Sequence, residues 1–434
     1  MTLDTANKRP PLMSLDDALS MVLKDLSVLT QTDRVNTFDA DGRVLAEDLV
    51  APLQVPPQDN SSMDGYALRI EDVTQLGALL KVTQRIPAGH HGHALGQGEA
   101  ARIFTGAPIP PGANAVVMQE DTQAAEPADL RVEELPHSEA SLPKVLINTL
   151  PKAGQWIRRS GEDVTKGAVV LSKGTRLDPA ALGLAASIGA AKLNVTRKAR
   201  VALFSTGDEL VMPGDVLPEN MRPGAIYNSN RYFLRALLVR AGCEVTDLGI
   251  VPDNYDATLR VLREAADHHD LVLTSGGVSV GEEDHVKPAV EALGGLNLWQ
   301  ISMKPGKPFA FGFLQSQEPN HSAYFMGLPG NPVSSFVTFQ LLVRPFLLAL
   351  HGVSSVQSEP LQMKADFDFP KPDKRREFLR VKRNAKGGLD LFPNQSSGVL
   401  TSVVWGDGVI DNPGSNPIQS GDWVRFYPFS EWLQ

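Results

Sequence analysis

From about residue 197 to 350 the chain alternates short apolar runs with helical stripes, and this pattern limits the fold more than any other feature. Val201–Phe204, Val245–Val251, Leu271–Thr274, Trp299–Met303 and Tyr324–Gly327 read as strands. Between and after them, Arg231–Arg240, Ala257–Ala266, Val286–Leu293 and the long apolar Val333–Leu350 read as helices. The first of these puts Phe233, Leu234, Leu237 and Leu238 on its inner side. Such alternation predicts a mostly parallel sheet covered on both faces.

The flanking text differs. With 434 residues the chain has room for about three domains. Ser14 opens a helix, with Asp17 placed as in a capping box and Ala18, Val22 and Leu26 forming its apolar stripe. A second short helix is predicted over Pro179–Ala191. Between the two, Val44–Val55 is strand-like, 56–66 is loop, and 79–119 carries short β segments between turns. Asp121–Ala140 is a polar, acidic surface excursion. After about 355 the helices stop. Asp368–Arg376 is a polar break, and Phe378–Val381, Val399–Val404 and Trp423–Tyr427 read as strands separated by turns such as Asp411–Gly414. The predicted fold class is multi-domain α/β and β. It comprises an N-terminal helical and linker part (1–50 with 150–196), an inserted β-rich part (51–149), a three-layer α/β domain (197–352) and a C-terminal β barrel (353–434).

Composition narrows the function. Net charge is −9, which argues against a non-specific nucleic-acid surface but not against small anions held by local Lys, Arg and backbone N–H groups. No run approaches the ~18 uninterrupted apolar residues of a spanning helix, and Met1–Pro11 lacks the apolar stretch of a signal peptide. The single cysteine, Cys243, excludes an intrachain disulfide framework and reads as a buried thiol. These features suit the cytoplasm.

Three strands run into ligand-like loops. Val201–Phe204 leads to Ser205-Thr206-Gly207-Asp208-Glu209. Leu271–Leu273 leads to T-S-G-G-V-S-V-G-E, with Ser275, Gly276, Gly277, Ser279, Gly281 and Glu282. Tyr324–Met326 leads to Gly327-Leu328-Pro329-Gly330-Asn331-Pro332. In a parallel sheet all three lie at the C-terminal edge, where an anionic ligand binds. The dinucleotide and Walker fingerprints are absent. Lys304-Pro305-Gly306-Lys307 is either a solvated turn or an anion-directed pair of lysines, and its apolar flanks favour the second. Asp208, Glu282 and Asp284 either cap helices or hold Mg²⁺ beside phosphate oxygens.

The N-terminal half has its own polar clusters: Asp59–Ala67, Arg102–Pro108, Val117–Glu120, and Arg158-Arg159-Ser160-Gly161-Glu162-Asp163. Each is either a self-satisfied loop network or part of an active site completed across a boundary. His90, His91 and His93 lie in a Gly-rich turn and read as solvated, and neither H-E-x-x-H nor G-x-S-x-G occurs.

Together with Ser205–Leu210, Ile226–Arg231, Thr274–Asp284, Lys304–Pro308 and Leu328–Pro332, these segments resemble the molybdopterin molybdenumtransferase family, bacterial proteins similar to the C-terminal domain of gephyrin. The resemblance covers nearly the whole chain. The α/β part alone also resembles the molybdopterin adenylyltransferases; the N-terminal module and the β-rich tail separate the two. The resemblance implies a homodimeric enzyme that takes adenylylated molybdopterin and molybdate, uses Mg²⁺ and releases AMP. It also implies transient contact with a molybdopterin adenylyltransferase and with cofactor-receiving enzymes. Carried over by motif, Asp59, Thr105, Glu120, Arg158 and Asp163 face the substrate from one subunit, with Asp284 and Lys304 across the interface. Asp59, Glu120, Asp163 and Asp284 are the implied metal ligands. Ser205, Thr206, Gly207, Asp208, Asn228, Ser275, Gly276, Gly277, Ser279, Gly281, Glu282, Lys307, Pro329 and Pro332 are the implied cofactor-binding positions. Two departures stand out: Asn228 where some members carry Asp, and Gln300 where at least one carries Lys.

Overall fold

A computed structural model describes residues 12–125, 142–277, 285–319 and 321–432. They form two compact units. One is Asp48–Ser172 with Pro179–Ala191; the other holds the residues before Asp48, Lys173–Asp178 and those from Lys192 onward.

The larger unit is built on a six-stranded sheet in the order 244–251, 200–206, 271–275, 322–328, 308–315, 294–300. The first four strands are parallel, as the alternation predicted. The last two run antiparallel, so the sheet is mixed rather than wholly parallel. The short link from Gln315 to Ser322 explains this, because a parallel crossover needs a dozen or more residues. Alternate residues of each central strand feed opposite cores. Val201, Leu203, Leu271, Leu273 and Met326 pack with the helices Asn230–Arg240 and Pro332–Leu350. Ala202, Phe204, Val272 and Phe325 pack with Tyr255–His268 and Val286–Leu293. Both faces are covered, and the three layers follow.

Helix Leu15–Leu23 begins as read: Ser14 Oγ accepts from Asp17 N at 3.0 Å and donates to Asp17 Oδ2 at 2.7 Å. Its Leu15, Ala18, Leu19 and Val22 join the first of the two cores. Pro332–Leu350 is long and apolar enough, by length and composition, to cross a membrane, yet 83% of that window is buried within its unit. A π turn at Phe339–Val343 interrupts it. Cys243 is buried, and burial pushes its thiol well up, as befits a packing residue.

The C-terminal strands form a ring. Met303–Lys304, Arg376–Arg383, Gly408–Asn412, Trp423–Pro428 and Leu361–Lys364 follow one another, and Leu389–Leu391 pairs with Arg376–Arg383. A bridge from Ala365 to Leu389 closes the barrel. Three sequence expectations need correction. The predicted strand Trp299–Met303 is two elements: Gly294–Gln300 ends the α/β sheet, and Met303–Lys304 joins the barrel. Val399–Val404 is not a strand; Thr401–Trp405 is a short helix, since periodicity cannot separate strand from helix in so short an apolar run. Asp411-Asn412, read as a turn, ends the buried strand Gly408–Asn412. Asp411 tolerates that burial because Arg376 (2.6 Å) and Arg425 (3.3 Å) pair with it.

The smaller unit contains a six-stranded sheet in the order 115–118, 65–68, 99–103, 78–86, 144–147, 122–124. It is β-rich, as expected. Gly65 shows why its motif needs glycine: a Cβ there would collide with the Val117 backbone carbonyl of the neighbouring strand. The helix Pro179–Ser187 packs Leu184 with Ala51, Val164 and Ile188 in a separate small core.

Candidate functional site

In the larger unit the chain leaves strand Arg200–Thr206 for its neighbour on one side, Glu244–Val251, and then crosses to Leu271–Ser275 on the other. Strand order therefore reverses beside Arg200–Thr206, and a crevice for a ligand opens at the carboxyl ends of such strands. The predicted residues Ser205, Thr206, Gly207, Ser275, Gly276 and Gly277 all lie there.

Tight backbone packing holds these loops. Gly276 has φ +94°, and a Cβ on it would sit 2.8 Å from the Thr206 carbonyl oxygen. Its N–H donates to Leu328 O at 3.1 Å, tying the Ser275 loop to the strand that precedes Pro329. A residue absent from the expected site completes the lattice. Asn230, buried at the start of its helix, donates through Nδ2 to Ser275 Oγ and Gly330 O, both at 2.7 Å. Asn228 is also buried; its Oδ1 accepts from Arg231 N at 3.2 Å. Neither Asn228 Nδ2 nor Ser205 Oγ has a partner among the described residues. Buried donors of this kind suit a phosphate or pterin ligand. Thr206 Oγ1 donates to Asp253 at 3.1 Å, and Asp208 is exposed. Ser279, Gly281, Glu282 and Asp284 lie outside the described residues.

Still within this unit, Lys304 and Lys307 open onto a cavity of about 350 Å³. Its other walls include Asn331 and Ser334 of the Pro332 helix entry, and Arg375, Gln395, Ser396 and Ser397 of the barrel. Lys304 Nζ lies 3.1 Å from Glu377 and 3.6 Å from Asp373. Arg375 forks onto Asp373 at 2.9 and 3.0 Å and so holds that carboxyl far below the usual carboxylate range. Lys307 makes no ion pair among the described residues. The wall is thus cationic and hydroxyl-rich, with one half-buried ammonium not neutralised locally.

The smaller unit gathers the N-terminal motifs at one end of its sheet. Asp59 Oδ2 accepts from Arg159 at 2.6 Å and Oδ1 from Ser160 N at 2.8 Å. The Ser160 N–H and the Arg159 guanidinium hold the Asp59 carboxyl below its ordinary range, so it stays ionised. Thr105 donates both N–H and hydroxyl to Asp64 Oδ1 at 2.8 Å, and Gln119 N donates to Asp64 O at 3.1 Å. Arg158 pairs across from Asn60 in a two-residue ladder. Arg102 lies over the rings of both Tyr66 and Phe104 and donates to Gln119. Glu120 and Asp163 are exposed, and neither joins the Asp59 network. Among the described residues no group of three or more His, Cys, Asp or Glu side chains gathers to hold a metal. The ionised, half-exposed Asp59 nonetheless suits a hard cation of the kind bound by one or two carboxylates and completed by phosphate oxygens and water.

Comparison with known proteins then decides the lineage. The family description "MoeA N-terminal region (domain I and II)" matches residues 13–189. "Probable molybdopterin binding domain" matches 202–349, and "MoeA C-terminal region (domain IV)" matches 362–429. A molybdopterin molybdenumtransferase of Haemophilus influenzae is 42% identical over 97% of this chain and 100% of its own length. The chain belongs to the molybdopterin molybdenumtransferase family. A relative of the same name from Synechococcus elongatus is 35% identical over 91% of this chain and 93% of its own. A molybdopterin biosynthesis MoeA protein of Pyrococcus horikoshii has the same fold, with TM-score 0.77 and 28% identity, covering 96% of this chain and 100% of that one.

The residues that the sequence reading did not name, and that the structure places at the loops and the cavity wall, are Asn230, Ser334, Arg375, Ser396 and Ser397. Asn230 stands inside the quoted segment Ile226–Arg231, and its signal was a second Asn two residues from Asn228. Arg375 lies in Asp373-Lys374-Arg375-Arg376-Glu377, a charge run that reads as a solvated break until Met303–Lys304 pairs with it.

Proposed function

We propose that this chain transfers molybdenum from molybdate to adenylylated molybdopterin with release of AMP, the final step of molybdenum cofactor biosynthesis. Family membership supports the reaction class. The observation that carries the finer reading is the cationic cavity of about 350 Å³, large enough for a tetrahedral oxyanion, in the same compact unit as the switch-point loops. In this reading the Ser275–Gly277 loop receives the pterin phosphate, with the partnerless Ser205 Oγ and Asn228 Nδ2 as buried donors beside it and Asn230 holding the loop in place. Lys304, Lys307 and Arg375 attract molybdate, and Ser334 and Ser397 supply donors once the shell of water is stripped. Pro329 and Pro332 shape the turn between phosphate loop and cavity.

Asp59, with Thr105, Glu120, Arg158 and Asp163, would face the pyrophosphate bond from a second copy of the chain in a homodimer. Asp59 would hold Mg²⁺, with Glu120, Asp163 and Asp284 as the remaining candidate ligands. When bound there, the cation would offset negative charge on the phosphoryl oxygens. Arg159 and the Ser160 N–H keep Asp59 ionised and oriented. Arg158 would add a second positive charge on that face. The four-part division proposed from the sequence supplies these pieces: an α/β docking half, an N-terminal half bearing the acids, and a barrel that closes the oxyanion cavity. The cytoplasm is the proposed location, with the adenylyltransferase and cofactor-receiving enzymes as transient partners.

The test is turnover of supplied adenylylated molybdopterin with molybdate, reading AMP and metal-loaded cofactor together. AMP release by the natural protein, lost in Asp59→Ala, is the expected result. Normal AMP release by Asp59→Ala would remove Asp59 from the chemistry. Binding of the adenylylated substrate with and without Mg²⁺ tests the cation separately: Asp59→Ala should abolish any Mg²⁺ effect on affinity.

A further inference from the structure

Behind the oxyanion cavity lies a buried arginine that no carboxylate contacts among the described residues, with Glu377 acting on it only through space. Arg380 is 1% exposed, among the largest fully buried side chains, and makes no ion pair among the described residues. A buried guanidinium without a contacting carboxylate is costly, and it persists only where fixed dipoles satisfy its donors. Its donors go to Phe378 O at 2.9 Å, Ser402 Oγ at 3.1 Å and Ser396 O at 3.3 Å. Its backbone grips the same segment: Arg380 N donates to Gln395 Oε1 at 2.9 Å, and Gln395 Nε2 returns a bond to Arg380 O at 3.0 Å. Gln395, Ser396 and Ser397 line the cavity, and Ser397 O accepts from Val333 N at 2.9 Å. Arg380 therefore fixes the barrel wall of the cavity from behind.

Charge gives it a second role. Lys304, Lys307 and Arg375 stand against Asp373 and Glu377, three formal cations against two carboxylates. That leaves one net positive charge, suited to a monoanion. Arg380 raises it to two. Burial draws its guanidinium down to about 10, still protonated at neutral pH.

We infer that Arg380 is a positioning residue for the oxyanion site: it holds the Gln395–Ser397 wall and supplies the buried charge that makes the cavity favour a dianion over a monoanion. This rests on the reading of the cavity as the molybdate site.

The experiment measures binding of molybdate, a dianion, and perrhenate, a tetrahedral monoanion, to the full chain by calorimetry. It compares the natural protein with Lys307→Ala, Arg380→Met, Arg380→Gln and Arg380→Lys, each checked by thermal melting. Coulombic attraction scales with ligand charge, so a ~10-fold loss for molybdate goes with only a ~3-fold loss for perrhenate. That pattern is expected for Arg380→Met and for Arg380→Gln, which keeps amide donors in case the Met variant does not fold. Arg380→Lys, which keeps the charge, should retain the preference for molybdate while binding both anions less tightly. A general structural role would weaken both anions equally. Equal losses, or unchanged molybdate affinity in the neutral variants while Lys307→Ala loses binding, would overturn the role of Arg380 alone. No molybdate binding by the natural protein, or none lost in Lys307→Ala, would overturn the cavity assignment and this inference with it.

Discussion

Replacing Asn230 with Ala tests whether the switch-point loops work as one unit. The change removes two hydrogen bonds, to Ser275 Oγ and Gly330 O, each 2.7 Å long. Each contributes about 1 kcal/mol net, and the Ser275 hydroxyl, itself buried, loses a partner at a further ~1 kcal/mol. The expected loss is about 2–3 kcal/mol. For a unit of this size that lowers the melting temperature by roughly 3–5 °C. Because Asn230 is the side-chain link between the Ser275 and Gly330 loops, affinity for adenylylated molybdopterin should fall about 10-fold, ~1.4 kcal/mol. Asn230→Asp, which presents acceptors where donors are needed, should do at least as much harm. Thermal melts and fluorescence titration with the substrate read the two effects. A melting temperature within ~1 °C of the natural protein together with unchanged affinity would refute the argument.

Gly276→Ala should destabilise by about 1–3 kcal/mol and weaken substrate binding, since both φ and the Thr206 carbonyl oppose a side chain; a neutral melt would count against the packing described. Asp64→Asn should raise the KM for the adenylylated substrate by releasing Thr105, whose N–H and hydroxyl both end on Asp64; an unchanged KM would detach Thr105 from the substrate face. His351 gives a pH signature. Burial lowers its imidazole from 6.5 to about 4, and its Nε2 accepts from Ala199 N at 3.0 Å. Because the folded pKa is depressed, the unfolded chain binds more protons between those values, so this stability is present above pH 6.5 and lost as pH falls towards 4. Urea unfolding at pH 7 and pH 5 should show the natural protein losing about 2 kcal/mol more than His351→Gln. Equal losses would mean His351 does not carry the effect.

The sequence by itself determined the parts whose physics is local. Apolar runs of strand length set the central strands, the Ser14–Asp17 capping signal set the first helix, and the Gly-rich strand ends placed Ser205–Gly207, Ser275–Gly277 and Pro329 at one sheet edge. It also carried the family, because so many motifs occur in order. Only tertiary structure decided the rest, because pairing partners far apart in the chain leave no local mark. The antiparallel turn of Pro308–Gln315, the closure of the barrel at Ala365 and Leu389, and the entry of Met303–Lys304 into that barrel are contacts of this kind. The last of these brings Arg375 and Ser397 to the lysine turn and turns a polar break into a cavity wall. Burial made the other difference. Asn230, Arg380 and Asp411 belong to residue types that are mostly exposed; tertiary hydrogen bonds and ion pairs are what allow them inside.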